Sequence, residues 1–195
     1  MGYREMRERI RHYGDITEFG SICRRYFVIG SFDGALTILG LILGAYFAGA
    51  DKSQIPLIAG AGISAAIALA ISSVAGAYEV ERVEKKLDQK RVERALLTKM
   101  GEEHREAYRF AAWVSAIVHG VAPLIAAVLP LLPFYVVPDF FWATVAASVV
   151  GFSILFITGV YLGKIVDEFV IYTGLRFVLV GLATAAVVLI LGQGL

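Results

Sequence analysis

The chain has 195 residues, of which 58% are hydrophobic and only 18% are charged, and its mean hydropathy is +0.71. Soluble domains carry about 25% charged residues, so this composition excludes a soluble protein and predicts an integral membrane protein. The formal net charge is +1, and we expect no nucleic acid among its partners. The single cysteine, Cys23, cannot form an internal disulfide bond, and we assign it no role.

Residues 1–25 form a charged N-terminal segment in which Arg and Glu alternate with apolar residues. The apolar residues recur at spacings of three and four, which predicts an amphipathic helix that lies on the cytosolic membrane surface. Because this segment has no short apolar core followed by a cleavage site, we expect no removable signal peptide. The apolar positions are Tyr3, Met6, Ile10 and Tyr13.

The first predicted span is residues 27–49, and it contains one carboxylate, Asp33, among uncharged apolar residues. A helix of this length reaches about 34 Å, enough to cross a hydrocarbon core of about 30 Å. An aspartate within a bilayer is disfavoured by roughly 3 kcal/mol and normally faces a partner, a cavity or a transported ion. We therefore favour a functional carboxylate, and the alternative is a structural aspartate bonded to hydroxyl groups.

Four further spans follow, and a charged segment separates the second span from the third. The second span continues into this segment without a turn signal, so it predicts a helix that projects into water and returns as a helical hairpin. The fold class is therefore all-α, with five transmembrane helices in a domain of residues 26–195. The predicted spans are 27–49, 55–78, 110–132, 140–163 and 175–195, and the cytosolic hairpin is 79–109.

The distribution of positive residues predicts the orientation of the helices. Six arginines precede the first span, and the hairpin and Lys164 fall on the same side, whereas the opposite side carries only Lys52. The N-terminus and the hairpin should therefore be cytosolic and the C-terminus external. In a prokaryote, the membrane would be the plasma membrane.

Several polar side chains fall at similar depths once this topology is applied. Helical rise places Asp33, Ser72 and Ser73 each about 10 Å from the cytosolic surface, and His119 at about 14 Å. These residues are candidate ligands for a metal ion within the membrane. For His119, a structural histidine that donates a hydrogen bond to a backbone carbonyl group is at least as common.

Glu81, Glu84 and Asp88 share one face of the predicted hairpin helix, and their like charges repel unless a cation neutralises them. Carboxylate oxygens suit divalent cations such as manganese, iron(II) or calcium. These three residues are therefore candidate metal ligands. The alternative is a solvated helix with local ion pairs such as Glu81–Lys85.

Glycines spaced four residues apart recur in the spans, and this spacing lets membrane helices approach each other closely. Packing within one subunit and a dimer interface explain the spacing equally well. The pairs are Gly30 and Gly34, Gly40 and Gly44, and Gly159 and Gly163.

The chain resembles the vacuolar iron transporter family of yeast and plants. The residues that carry the resemblance are IGSFDGALTILGLILGA in the first span, SSVAGAYEVERVE at the end of the second, APLIAAVLPLLPF in the third and GVYLGK in the fourth. The resemblance implies a homodimer that moves Fe2+ or Mn2+ out of the cytosol, with Asp33 in the translocation path and hairpin glutamates that gather metal. It also implies exchange for protons.

The second span, GISAAIALAISSVAG, contains neither the acidic residue nor the methionine of well-studied family members. An oxygen-rich site without a thioether suits manganese at least as well as iron. The alternative function is a non-transporting membrane scaffold or a metal sensor that acts through the hairpin. We expect no enzymatic activity, because no nucleophile with an adjacent base and no phosphate loop occurs, and no permanently bound cofactor.

Overall fold

A computed structural model describes residues 3–17 and 19–192, and the regular structure of these residues is entirely helical. The predicted N-terminal segment and fifth span extend to residues 1, 2, 18 and 193–195, which lie outside the described residues. The helices are α1 (Tyr3–Thr17), α2 (Phe19–Phe47), α3 (Ile55–Leu96), α4 (Glu102–Val128), α5 (Pro133–Val136), α6 (Phe140–Ile165) and α7 (Val170–Gly192).

Among the described residues, five helical stretches are long and apolar enough to cross a membrane, in agreement with the predicted all-α membrane fold. Helices satisfy their backbone hydrogen bonds internally, which is what a bilayer requires of a spanning segment. The stretches are Phe19–Phe47, Lys52–Leu96, Glu102–Val136, Phe140–Ile165 and Val170–Leu191. The cytosolic location of the charged segment and the orientation of the termini stay predictions.

Helix α2 begins at Phe19, well before the predicted start of the first span at residue 27. Arg24 and Arg25 interrupt the apolar sequence but not the helix, because both are exposed while Ile22 and Tyr26 on the other side pack in a core. Hydropathy therefore locates the apolar part of α2 and misses its polar first turns.

Helix α3 is a continuous helix of 42 residues that includes both the predicted second span and the first half of the charged segment. It ends at Leu96, because Leu97 adopts a positive φ of 52°, and α4 begins directly after Gly101. Before α3, a short 3-10 helix (Lys52–Gln54) is capped by Asp51, which accepts from the backbone N–H of Ser53.

Three prolines shape the end of the third span. Pro123 lies inside α4, Pro130 lies in a 3-10 turn (Leu129–Leu131), and Pro133 starts the short helix α5. A proline cannot donate the helical hydrogen bond of its own position, so a break or a tighter turn follows where prolines are closely spaced. The third span therefore ends in short helical pieces.

The chain divides into two compact units. The first unit comprises Met1–Phe27 and Ile71–Gly120. Its core contains Tyr26, Ala77 and Ala116. Helix α1 is attached to α4 within this unit, because the Tyr13 hydroxyl donates to Glu106 at 3.0 Å and His12 contacts Glu103 at 2.9 Å.

The second unit comprises Val28–Ala70 and Val121–Leu195. Its glycines allow close helix packing within the chain: a Cβ atom on Gly159 would lie 2.7 Å from the carbonyl oxygen of Thr173. Gly163 also packs against Thr173, so this glycine pair joins α6 to α7 in one subunit. The largest fully buried side chains of the unit include Ile38, Leu39, Ile42, Leu131 and Leu155.

Candidate functional site

Asp33 is the central residue of α2 (Phe19–Phe47), with fourteen helical residues on each side of it.

 The sequence of α2 contains no asparagine, glutamine or second acid, so Asp33 is its one carboxylate. Asp33 and Thr37 are both exposed, and they share a face of the helix because they are four residues apart. A carboxylate and a hydroxyl group are therefore presented together in the middle of an apolar helix.

Gly34 fixes the direction in which Asp33 points. Its α-carbon faces Pro123 of α4 so closely that a Cβ atom on Gly34 would clash with the Pro123 carbonyl oxygen and lie 2.7 Å from its Cα. Successive residues of a helix are rotated by about 100°. Asp33 is therefore turned away from the α4 backbone, toward the exposed face that Thr37 shares.

Five hydroxyl groups of the second unit donate their hydrogen bonds to their own helices. In each case the acceptor is the carbonyl oxygen four residues earlier, and the oxygen lone pairs stay available to accept. Such a hydroxyl group can contribute an oxygen to a cation but has no proton left for an anion. The residues are Thr144, Ser148, Ser153, Thr158 and Thr184.

His119 lies in the first unit, where its Nδ1 atom is 3.1 Å from the carbonyl oxygen of Tyr26. A carbonyl oxygen only accepts hydrogen bonds, so Nδ1 carries the hydrogen and Nε2 has a free lone pair in the neutral ring. The Tyr26 and His119 rings are also in contact, with centroids 4.7 Å apart. This hydrogen bond suits a structural histidine, and metal-binding histidines make the same kind of bond.

Glu81 is almost fully buried in the first unit and has an exposed partner. Its Oε1 atom is 3.4 Å from Nη2 of Arg25, whose side chain is 61% exposed against 4% for Glu81. The local pair with Lys85 that the solvated-helix alternative predicts is replaced by this contact with a residue of α2. Lys85 instead lies over the ring of Tyr108, 5.6 Å from its centroid.

The other predicted ligands of the first unit have different surroundings. Glu84 is exposed, Asp88 is half-buried and pairs with Arg91 at 3.2 Å, Ser72 is exposed and Ser73 is half-buried. Within the part of the chain that the structure describes, no three His, Cys, Asp or Glu side chains form a group that could hold a metal ion. The ligand set therefore stays a prediction.

Arg25 is the residue of this region that the sequence did not indicate. Its partner Glu81 is 56 positions away, so no helical spacing connects them. A glutamate close to the end of an apolar span is the signal that could have prompted a search for a distant cation, since charges that become buried are normally paired.

Two comparisons with known proteins identify the family. A profile of the VIT family, the vacuolar iron transporter family, matches residues 79–193, which is more than half of the chain. An uncharacterized protein of Methanocaldococcus jannaschii is 33% identical over 165 residues, which cover 83% of this chain and 84% of that protein. The chain therefore belongs to the VIT family.

Proposed function

We propose that this protein is a homodimeric transporter that exports Fe2+ or Mn2+ from the cytosol in exchange for protons. Membership of the VIT family supports membrane transport of metal ions. The observation that carries the finer proposal is the exposure of Asp33 and Thr37 on one face at the centre of α2. A cation that crosses the membrane at this face would meet the Asp33 carboxylate.

A carboxylate such as that of Asp33 is costly to place in hydrocarbon. Exposure of Asp33 to lipid would cost roughly 3 kcal/mol on insertion scales, so we expect its face to meet a second copy of the chain or a water-filled cavity. Two copies that meet there would contribute two carboxylates and two Thr37 hydroxyl groups. Such a set of hard oxygen ligands suits Mn2+ at least as well as Fe2+.

Proton exchange follows from the chemistry of the same carboxylate. Metal binding requires the ionised form, so protonation of Asp33 on the external side would release the metal ion. Ser72, Ser73 and His119 Nε2 are proposed as further ligands along the path. We propose that Glu81, Glu84 and Asp88 gather metal on the cytosolic side.

Metal flux into proteoliposomes tests the proposal. Asp33→Asn keeps the shape of the side chain and removes its charge, so we expect Mn2+ and Fe2+ flux to fall to the level of empty liposomes. The matched control is Asp167→Asn, because Asp167 is exposed, lies between α6 and α7 and has a positive φ of 53° that asparagine tolerates. Normal flux in Asp33→Asn would refute the mechanism.

The same preparation separates the transporter from the alternatives. A metal sensor predicts that Mn2+ raises the thermal midpoint of the unaltered protein without any flux, and a scaffold predicts neither effect. A proton gradient should accelerate flux through the unaltered protein. Flux that ignores the gradient would remove proton exchange from the proposal and leave metal export in place.

Disulfide trapping tests the proposed dimer face. In a Cys23→Ser background, Thr37→Cys should form a covalent dimer under mild oxidation if the two Thr37 residues meet. Ser153→Cys is the control, because Ser153 is exposed on α6. Equal trapping at both positions would indicate random collision and contradict the assignment of this face.

A further inference from the structure

A cavity of about 460 Å³ lies between α3 and α4 in the first unit. One end of the cavity is formed by Tyr78 and Ala112, and the rest is strongly basic. One carboxylate, Glu102, lies among the cationic side chains. The cations that line the cavity are Arg82, Lys85, Lys86, Arg105 and Arg109.

These cations are only partly neutralised by the protein. Arg82 donates two hydrogen bonds to Glu79, the shorter at 2.6 Å. Arg105 contacts Glu102 at 3.4 Å and Glu93 at 3.8 Å. Lys86 and Arg109 are exposed. Among the side chains that the structure describes, the Nε atom of Arg105 is buried without a hydrogen-bond partner. An anion in the cavity would supply acceptor oxygens and negative charge to these cationic side chains.

The position of the cavity along the helices indicates where the anion comes from. The rings of Tyr78 and Trp113 are in contact, with centroids 4.4 Å apart, and the apolar side chains Ile71 and Ile117 are 65% and 52% exposed. Aromatic residues of this kind are enriched where a membrane helix leaves the hydrocarbon. The basic cavity therefore begins at the expected membrane surface.

Helical rise gives the distance of the cations from that surface. Arg82 is four residues beyond Tyr78, or about 6 Å, and Lys85 and Lys86 are about 10–12 Å beyond it. The headgroup layer on each side of a bilayer is about 5–8 Å thick. The first cations of the cavity therefore lie at headgroup level, and the next ones lie just above it.

We propose that this basic cavity binds the phosphate-bearing headgroup of an anionic phospholipid. Arg82, four residues beyond Tyr78, and Arg109, four residues before Trp113, both lie about 6 Å beyond this aromatic pair, at the depth of the phosphate group. Charge-assisted hydrogen bonds from arginine are well suited to phosphate oxygens. The acyl chains would lie along the exposed apolar surface that Ile71 and Ile117 belong to. The proposal does not depend on which ion the protein transports.

Quenching of tryptophan fluorescence tests the proposal. The chain has two tryptophans, Trp113 and Trp142, so Trp142→Phe leaves Trp113 beside the cavity as the only reporter. The protein is placed in phosphatidylcholine nanodiscs with a small, graded fraction of brominated phosphatidylglycerol or brominated cardiolipin. We expect saturable quenching at low fractions of the anionic lipid, and only linear quenching by brominated phosphatidylcholine.

Two charge-matched variants separate a site from general attraction. Lys86→Gln with Arg109→Gln removes two cations of the cavity and should weaken lipid binding by roughly tenfold or more. Lys90→Gln with Arg91→Gln removes the same charge farther along α3, outside the cavity, and should change binding less than about threefold. Equal weakening by both variants would overturn the proposal. Unchanged thermal midpoints in pure phosphatidylcholine verify that both variants are folded.

A competition experiment separates a lipid from a soluble phosphate. Inorganic pyrophosphate is added to the same nanodiscs at millimolar concentration, with ionic strength held constant. The proposal expects the anionic lipid to remain bound and Trp113 to stay quenched. Complete displacement, together with lipid-independent protection of the protein by pyrophosphate in detergent, would assign the cavity to a soluble anion and overturn the lipid assignment.

Discussion

Gly34 is packed directly on the backbone of Pro123, and a side chain at position 34 would occupy the space of the Pro123 carbonyl group. The contact joins α2 to α4 within the second unit. Because a backbone cannot move aside as a flexible side chain can, this contact leaves no room for adjustment. Gly34 is therefore a packing residue next to the candidate functional carboxylate.

Gly34→Ala should destabilise the protein by about 1–3 kcal/mol, since overpacking against a rigid neighbour forces the helices apart. The matched control is Gly40→Ala on the same helix, where a Cβ atom would have nothing within 4 Å. That control should be neutral or stabilising by up to about 1 kcal/mol, because alanine is the better helix former. Thermal unfolding in detergent measures both, and similar midpoints would contradict the packing role.

The pair of Arg25 and Glu81 predicts an asymmetric response to mutation. Arg25→Gln leaves a buried carboxylate without its cation and should cost about 1–3 kcal/mol. We place the value toward the lower limit because Arg25 is mostly exposed and its contact with Glu81 is 3.4 Å long. Glu81→Gln should cost less, because the exposed Arg25 can be solvated by water.

The double variant is the decisive measurement for this pair. Arg25→Gln combined with Glu81→Gln should be more stable than Arg25→Gln alone, since the unpaired buried charge is then removed. Thermal midpoints of the four proteins give the coupling. Strictly additive effects would show that the two side chains do not interact.

Two adjacent leucines should respond in opposite directions to the same substitution. Leu97 is 93% exposed and has a positive φ of 52°, a conformation that costs a residue with a Cβ atom roughly 1–2 kcal/mol. Leu97→Gly should therefore stabilise the protein by about 1 kcal/mol. Leu96→Gly, at the last residue of α3, should not stabilise it. Chemical unfolding measures the difference, and a loss of stability in Leu97→Gly would contradict the expectation.

Asp51 should make the connection before α3 sensitive to acid. The Ser53 hydroxyl and backbone N–H donate to its carboxylate and hold the pKa of Asp51 below its ordinary value. A carboxylate with a lowered folded-state pKa stabilises the folded state above its unfolded-state pKa, and this contribution is lost as the pH falls through the folded-state pKa. The loss should therefore occur below the ordinary value of 3.8.

Asp51→Asn supplies the reference, because asparagine also caps helices but does not titrate. The stability advantage of the unaltered protein over this variant should be constant near neutral pH and shrink in acid. Ser53→Ala removes the hydroxyl donor and raises the folded-state pKa of Asp51 toward its ordinary value, so the loss should be smaller and should be complete at a higher pH. A stability difference that is the same at pH 7 and pH 3 would contradict this linkage.

Local properties of the sequence predicted the spans, and contacts between distant residues account for what they missed. Hydropathy is sufficient to find five apolar helices, because a bilayer demands a minimum length of apolar residues. It placed the start of the first span at residue 27 because Arg24 and Arg25 precede it, whereas the helix begins at Phe19. Exposed arginines end an apolar stretch without ending a helix.

The partners of polar side chains depend on tertiary structure in the same way. Helical spacing suggested Lys85 as the partner of Glu81, but the partner is Arg25, and His119 contacts Tyr26 across 93 positions of sequence. The spacing of Gly159 and Gly163 predicted close packing without naming the neighbour, which is Thr173 of α7. Spacing identifies which residues share a face, and the fold decides what that face meets.

The order of Asp33 and Gly34 in the chain has a consequence of its own. Gly34 lets α2 pack directly on the backbone of Pro123, and this contact sets the direction in which Asp33 points. If the two residues were exchanged, the aspartate side chain would collide with the Pro123 carbonyl group, and the exposed face that Thr37 shares would carry no carboxylate. The dipeptide thus carries directional information that neither residue holds separately.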